Sequence, residues 1–145
     1  MKIIVDANIV FSEILNTNSK IADILMNSDS FFEFIASDYL KSELTKYHKK
    51  ISRLSKIQIS EVEKVQDSVT KHIRFISEIL IPSNIWVLAE DLCEDVDLKD
   101  TPYIAFSLFY NAKIWSGDKI LQKGLALKGF TNFISINELI EFIES

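Results

Sequence analysis

An α/β domain, with a mostly parallel five-stranded sheet between two layers of helices, is what this sequence predicts, and three observations predict it. Short apolar runs recur along the chain, helical apolar periodicity fills the intervals between them, and only three glycines and two prolines punctuate the whole. Such alternation implies parallel strands joined by helical crossovers, a three-layer α/β/α arrangement. The chain has 145 residues, 48% hydrophobic and 26% charged, enough apolar side chain for one core. It carries no linker, repeat or low-complexity segment, so residues 1–145 read as a single domain.

The strands follow from composition. "KIIV" before Asp6, "FFEFIA" from Phe31 to Ala36, "EILI" before Pro82, "AKIWS" before Gly117 and "FTNFIS" near the end are short, apolar and rich in β-formers. Helices are signalled by caps and spacing. Over "ISEVEKVQDSVTKHIRFI", Ser60 and Glu63 have the spacing of a capping box, and Val62, Val65, Val69, Ile73 and Ile76 recur at helical intervals. Leu40, Leu44, Tyr47, Ile51 and Leu54 make an apolar stripe along a second candidate helix. Further helices are expected over Asn84 to Cys93, Thr101 to Tyr110, Asp118 to Leu127 and Asn137 to Ile143. Pro102 suits a first helical position, with Asp100 at or just before the cap.

Composition excludes several function classes. The lone cysteine, Cys93, forms no internal disulfide and no thiolate zinc cluster, which fits a reducing compartment and a small core residue. His48 and His72 share no ligand spacing with each other or with Cys93. No apolar run reaches the roughly 18 residues of a spanning helix, and "MKIIVDANIVF" meets an aspartate too early for a secretory leader, so no membrane association and a cytoplasmic location are expected. No glycine-rich phosphate cradle is present. The net charge of −5 opposes a polyanionic partner, yet it is unevenly spread. The segment "KSELTKYHKKISRLSK" concentrates basic side chains, with Lys46, Lys49, Lys50 and Arg53 repeating at helical spacing one turn beyond Glu43.

Open parallel sheets bind ligands beyond the carboxyl ends of their strands, and acids collect there. Asp6 follows the first strand, where alone it fits a turn or cap; Asn8 stands two residues on, placed to orient it or to cap the next helix. Glu43 lies at the margin of the apolar stripe. Asp100 opens the "TPYIAFSLFY" helix after Glu94, Asp95 and Asp97, and Asp118 follows Ser116 and Gly117, the glycine permitting a tight turn. Two carboxylates about 4 Å apart repel by roughly 4 kcal/mol at an effective dielectric of about 20. A hard divalent cation, Mg²⁺ or Mn²⁺, relieves that repulsion with oxygen ligands alone.

With these acids in order, the chain resembles a PIN domain, the metal-dependent ribonuclease fold that includes VapC-like toxins. The resemblance rests on "KIIVDANIVFSEIL", "YLKSELTKY", "DLKDTPYIAFSL" and "AKIWSGDKIL". It implies a Rossmann-like sheet of order 3-2-1-4-5 and catalytic, metal-holding roles for Asp6, Glu43, Asp100 and Asp118, with Asn8 and Ser116 supporting; Asp97, read from the acidic stretch itself, is a further candidate ligand. It implies Mg²⁺ or Mn²⁺ as cofactor and an endoribonuclease leaving 5′-phosphate and 3′-hydroxyl ends. It implies an RNA substrate and, as in the toxins, an antitoxin protein; Lys46, Lys49, Lys50 and Arg53 are by their own spacing the expected RNA contacts, and a homodimer is expected as well. A dehalogenase-like phosphatase would need an aspartate where Asn8 stands, and a receiver domain one where Pro82 follows the third apolar run. The remaining alternative is a PIN-like module that binds RNA or protein without cleaving.

Overall fold

The computed structural model describes all 145 residues. Five strands, β1 (Lys2–Val5), β2 (Glu33–Ser37), β3 (Ile73–Ile76), β4 (Lys113–Trp115) and β5 (Phe133–Ile134), form one sheet of order β3-β2-β1-β4-β5. Every neighbouring pair is parallel. Nine helices connect them: α1 (Ala7–Leu15), α2 (Lys20–Asn27), α3 (Asp38–Lys46), α4 (His48–Ser55), α5 (Ile59–Thr70), α6 (Ser83–Cys93), α7 (Thr101–Tyr110), α8 (Lys119–Ala126) and α9 (Ile136–Glu144). Strand order grows from β1 toward β3, then jumps back across β1 to β4 and on to β5. Right-handed crossovers in opposite directions place their helices on opposite faces, giving the three-layer α/β/α fold. On one side α1 is packed against α2, α3, α4 and α5; on the other, α7 crosses β1, β2 and β4 with α6 outside it.

The central strands are almost entirely apolar because both faces are covered. Ile3, Ile4 and Val5 of β1, Phe34, Ile35 and Ala36 of β2, and Ile114 and Trp115 of β4 are buried in one core shared with Leu40, Leu44, Ile104 and Phe106. Cys93 belongs to this core, and burial pushes its thiol up to about 11, so it is an inert packing residue.

Four expectations need correction. The third strand is not "EILI": Glu78–Leu80 is a 3-10 turn with Ile79 and Leu80 exposed, and β3 is the preceding "IRFI". Ile73 and Ile76, three apart, satisfy a helical period as readily as a strand's two buried ends, and pairing with β2 decides the matter. Accordingly α5 stops at Thr70. Its Ser60 and Glu63 form no capping box, because the cap is Gln58 and Ser60 already lies inside the helix; the box that does form is Ser135 with Glu138, at the start of α9. The stripe from Leu40 to Leu54 is broken at Tyr47, whose backbone (φ −99°, ψ 2°) leaves the helical region, so Leu54 faces solvent. Finally, Gly117 does not take a left-handed conformation; Gly129 does. The glycine that matters is Gly124, where an added Cβ would lie 2.7 Å from Val96. Its bareness lets α8 close on the loop that leads to Asp100.

Candidate metal centre at the carboxyl edge of the sheet

Asp6 is the first residue past β1. Its N–H still donates to Trp115 O (3.2 Å), continuing the ladder to β4, while its side chain caps α1. Oδ1 accepts from the backbone N–H of Asn8 (3.2 Å) and Oδ2 from the Ser116 hydroxyl (2.7 Å). Both supporting residues therefore bear on Asp6, but Asn8 does so through its main chain, leaving its carboxamide exposed. The Ser116 Oγ also accepts from the N–H of Asp118 (3.1 Å). A single buried hydroxyl thus ties the acid after β1 to the turn after β4. Asp118 caps α8, its Oδ1 accepting from Leu121 N–H (3.0 Å). These three side chains meet because β1 and β4 are neighbours in the sheet, 110 residues apart in sequence between Asp6 and Ser116.

Glu43 arrives on α3, half-buried, and is held by a residue the sequence reading passed over. The phenol of Tyr103, on α7, donates to Glu43 Oε1 (2.5 Å) and accepts from the N–H of Ala7 (3.3 Å). Tyr103 is buried and looks like any core aromatic on an apolar helix; only its i+3 spacing from Asp100 hinted that its tip reaches the carboxyl edge. Asp100 occupies the cap position of α7 without making a cap hydrogen bond, so its carboxylate is uncommitted. Asp97 is exposed and turned to local work, accepting from Lys99 N–H (3.0 Å).

The electrostatics follow from crowding. Burial pushes the carboxyl of Asp6 up, opposed by the Ser116 bond and aided by Asp118. Glu43 is raised by burial, opposed by the Tyr103 bond, with Asp6 raising it and Lys46 lowering it. Asp100 is pushed up to about 7 by burial, then by the charges of Asp6, Asp97, Asp118 and Glu43. The same field, with burial first, raises the phenols of Tyr39 and Tyr103. So the four predicted acids do converge on one field, and Asp97 contributes charge from its rim. They do not yet enclose a point: no three acid, histidine or cysteine side chains form a ready metal cage. As donors they nevertheless suit a hard cation, being carboxylate oxygens without histidine or thiolate and having an uncommitted member in Asp100. Of the basic residues, Lys46 lies close enough to act on Glu43. Lys49, Lys50 and Arg53 continue on α4, beyond the break, and are exposed.

Fold and site together define a doubly wound α/β domain with an acidic centre at its strand-order reversal. The PIN domain family model matches residues 4–136, and the chain belongs to that family. Among solved structures it is similar to a chain of VapBC2 from Rickettsia felis bound to a DNA fragment from their promoter, with a TM-score of 0.68 at 13% identity, covering 93% of this chain and 97% of that one. No curated protein sequence matches. No helix is long and apolar enough to cross a membrane.

Proposed function

We infer that the chain is a metal-dependent endoribonuclease, of the kind that serves as the toxin of a toxin-antitoxin pair. One observation carries the reading: four carboxylates from four separate elements share one field at the carboxyl edge of the sheet, with Asp100 raised to about 7. Family membership supports it, since PIN domains are generally nucleases. Likeness to a VapBC chain supports an antitoxin partner, and the basic stripe supports an RNA substrate.

Asp6, Glu43, Asp100 and Asp118 would hold Mg²⁺ or Mn²⁺. When bound, such a cation lowers the pKa of a water and neutralises phosphoryl oxygens. The protein's own residues set the rest. Ser116 and the Asn8 N–H hold both oxygens of Asp6 in place, and Tyr103 fixes one oxygen of Glu43, leaving Oε2 as its ligand atom. Asp100, the least committed acid, would hold the cation through one oxygen and have the other free to take the proton from the attacking water. That water's oxygen would bond to phosphorus as the bond to the 3′-oxygen breaks, the departing 3′-oxygen taking up a proton from solvent, giving a 5′-phosphate and a 3′-hydroxyl. Lys46, one turn from Glu43, meets the neighbouring phosphate.

Cleavage of single-stranded RNA tests this. Asp6→Asn, Glu43→Gln, Asp100→Asn and Asp118→Asn should each lower the initial rate by at least about 100-fold, since even outer-shell partners of a metal cost 10–100-fold. Asp95→Asn, whose side chain pairs with Lys128, should cut normally. EDTA should stop the wild type and Mn²⁺ restore it; cleavage that persists in EDTA rejects the metal. The open spacing of the acids favours a second reading, a binding module without catalysis. RNA bound but uncut with Mn²⁺ present would select it.

A further inference from the structure

Beside the acidic centre, between α1 and the α3–α4 break, lies a small cavity of about 120 Å³ lined by Ala7, Asn8, Phe11, Leu44, Tyr47 and Lys50. It contains no carboxylate, although the adjoining edge is crowded with them. Its walls come from the first two turns of α1 and from both sides of the α3–α4 break, so it exists because the helix stops at Tyr47. That break leaves Tyr47 44% exposed, yet the ring is not loose. It meets Phe11 edge-on at 5.8 Å, with planes 73° apart, and Lys50 Nζ lies 5.8 Å from the Phe11 centroid. His48, bonded through Nε2 to Gln66 Oε1 (2.6 Å), pins the start of α4 to α5. An aromatic wall, an ammonium at the mouth and the exposed carboxamide of Asn8, both donor and acceptor, converge on a space the size of one planar heterocycle.

We propose that this cavity receives one unpaired nucleobase of the RNA, next to the phosphate presented to the acids. The inference rests on the nuclease reading and adds to it a subsite for one base turned out of its stack. Position argues for it. Asn8 N–H bonds to Asp6, Leu44 follows Glu43 on α3, and Tyr47 is the cap that ends that helix, so the cavity adjoins two of the acids. Charge argues for it as well, because Lys50 belongs to the stripe with Lys46, Lys49 and Arg53 that would follow the backbone. Single-stranded RNA is read by turning bases out onto aromatic side chains, with cations on the backbone. A duplex keeps its bases stacked and has nothing to insert.

The probe is a short single-stranded RNA and a series of it with one abasic position each, bound to the full chain with Ca²⁺ in place of Mg²⁺ or Mn²⁺ and followed by fluorescence anisotropy. One position should weaken wild-type binding by about 5- to 100-fold, the range of a lost base–aromatic stack. Tyr47→Ala should bind the intact RNA that much more weakly and lose the position dependence, while Tyr47→Phe keeps both, and the same sequence as a duplex should bind no better than the abasic RNA. A flat scan in the wild type, or an unchanged scan in Tyr47→Ala, overturns the base pocket. RNA that is cut but gives a flat scan leaves the nuclease standing without it; a positive scan without cleavage keeps the pocket and removes the nuclease. Absence of all RNA binding overturns both and leaves the cavity to an apolar side chain of a protein partner.

Discussion

Asp6 and Glu13 are buried acids on the same short stretch, one capping α1 and the other two turns into it, and they are held in opposite ways. Asp6 has both oxygens bonded and like charges around it. Glu13 has neither: its oxygens are buried without any partner, α1 is packed on four other helices, and burial alone pushes it up to about 8. Crowding and isolation both raise a carboxyl, but they are relieved differently. A cation brought to the edge lowers the cost of Asp6, Glu43, Asp100 and Asp118 together; Glu13 is out of its reach and is relieved only by a proton. The difference separates acids kept for chemistry from an acid that only costs stability, which burial alone would not do.

The largest effect expected from this contrast is on pH. Between its ordinary value of 4.5 and about 8, Glu13 holds a proton in the folded chain that the unfolded chain has released. Its contribution is therefore fully present below about 4.5 and lost as pH rises through about 8. The loss is roughly 3–5 kcal/mol, at about 1.4 kcal/mol per pH unit. Glu13→Leu should remove that part of the slope, leaving the shallower one that Asp100, raised to about 7, contributes with Asp6 and Glu43, and should leave RNA cleavage unchanged. Urea unfolding at pH 5 and 8.5 measures it, and equal slopes in variant and wild type would show that Glu13 is ionised and paired after all.

Cation linkage comes next. At a hundredfold over its dissociation constant, Mn²⁺ should stabilise the wild type by about 2.7 kcal/mol. Glu13→Leu should keep the whole increment and Asp100→Asn should lose most of it, while being at least as stable as wild type without metal because four repelling neighbours are relieved. Thermal unfolding with and without Mn²⁺ reads both. If Asp100→Asn fails to fold, Asp100 is structural and its assignment falls.

The smallest effect concerns the tether. Tyr103→Phe removes one hydroxyl that bonds the half-buried Glu43 and the buried Ala7 N–H, a loss of about 1–2 kcal/mol in apo stability. It should also weaken Mn²⁺ binding by isothermal titration, because Glu43 is then free to turn. Unaltered Mn²⁺ affinity would mean that α3 packing, not the phenol, aims the acid.

The sequence by itself determined the layered α/β class, the strand ends that carry Asp6 and Asp118 and the placement of Asp100 at a helix start. These are local matters: apolar runs, cap chemistry and helical spacing are written in neighbouring residues. Tertiary structure decided the rest. "IRFI" became a strand because β2 offered an edge to pair with, while "EILI", the better strand former alone, turns with Ile79 and Leu80 in solvent and Ile81 in the core. Tyr103 reads as core filling until the fold carries its hydroxyl to Glu43, 60 residues away. Glu13 sits where a polar residue would end an amphipathic stripe, and only the packing of four helices around α1 buries it. Hydrogen bonds between distant elements and the desolvation of a side chain depend on what lies across the core, and no local pattern encodes that.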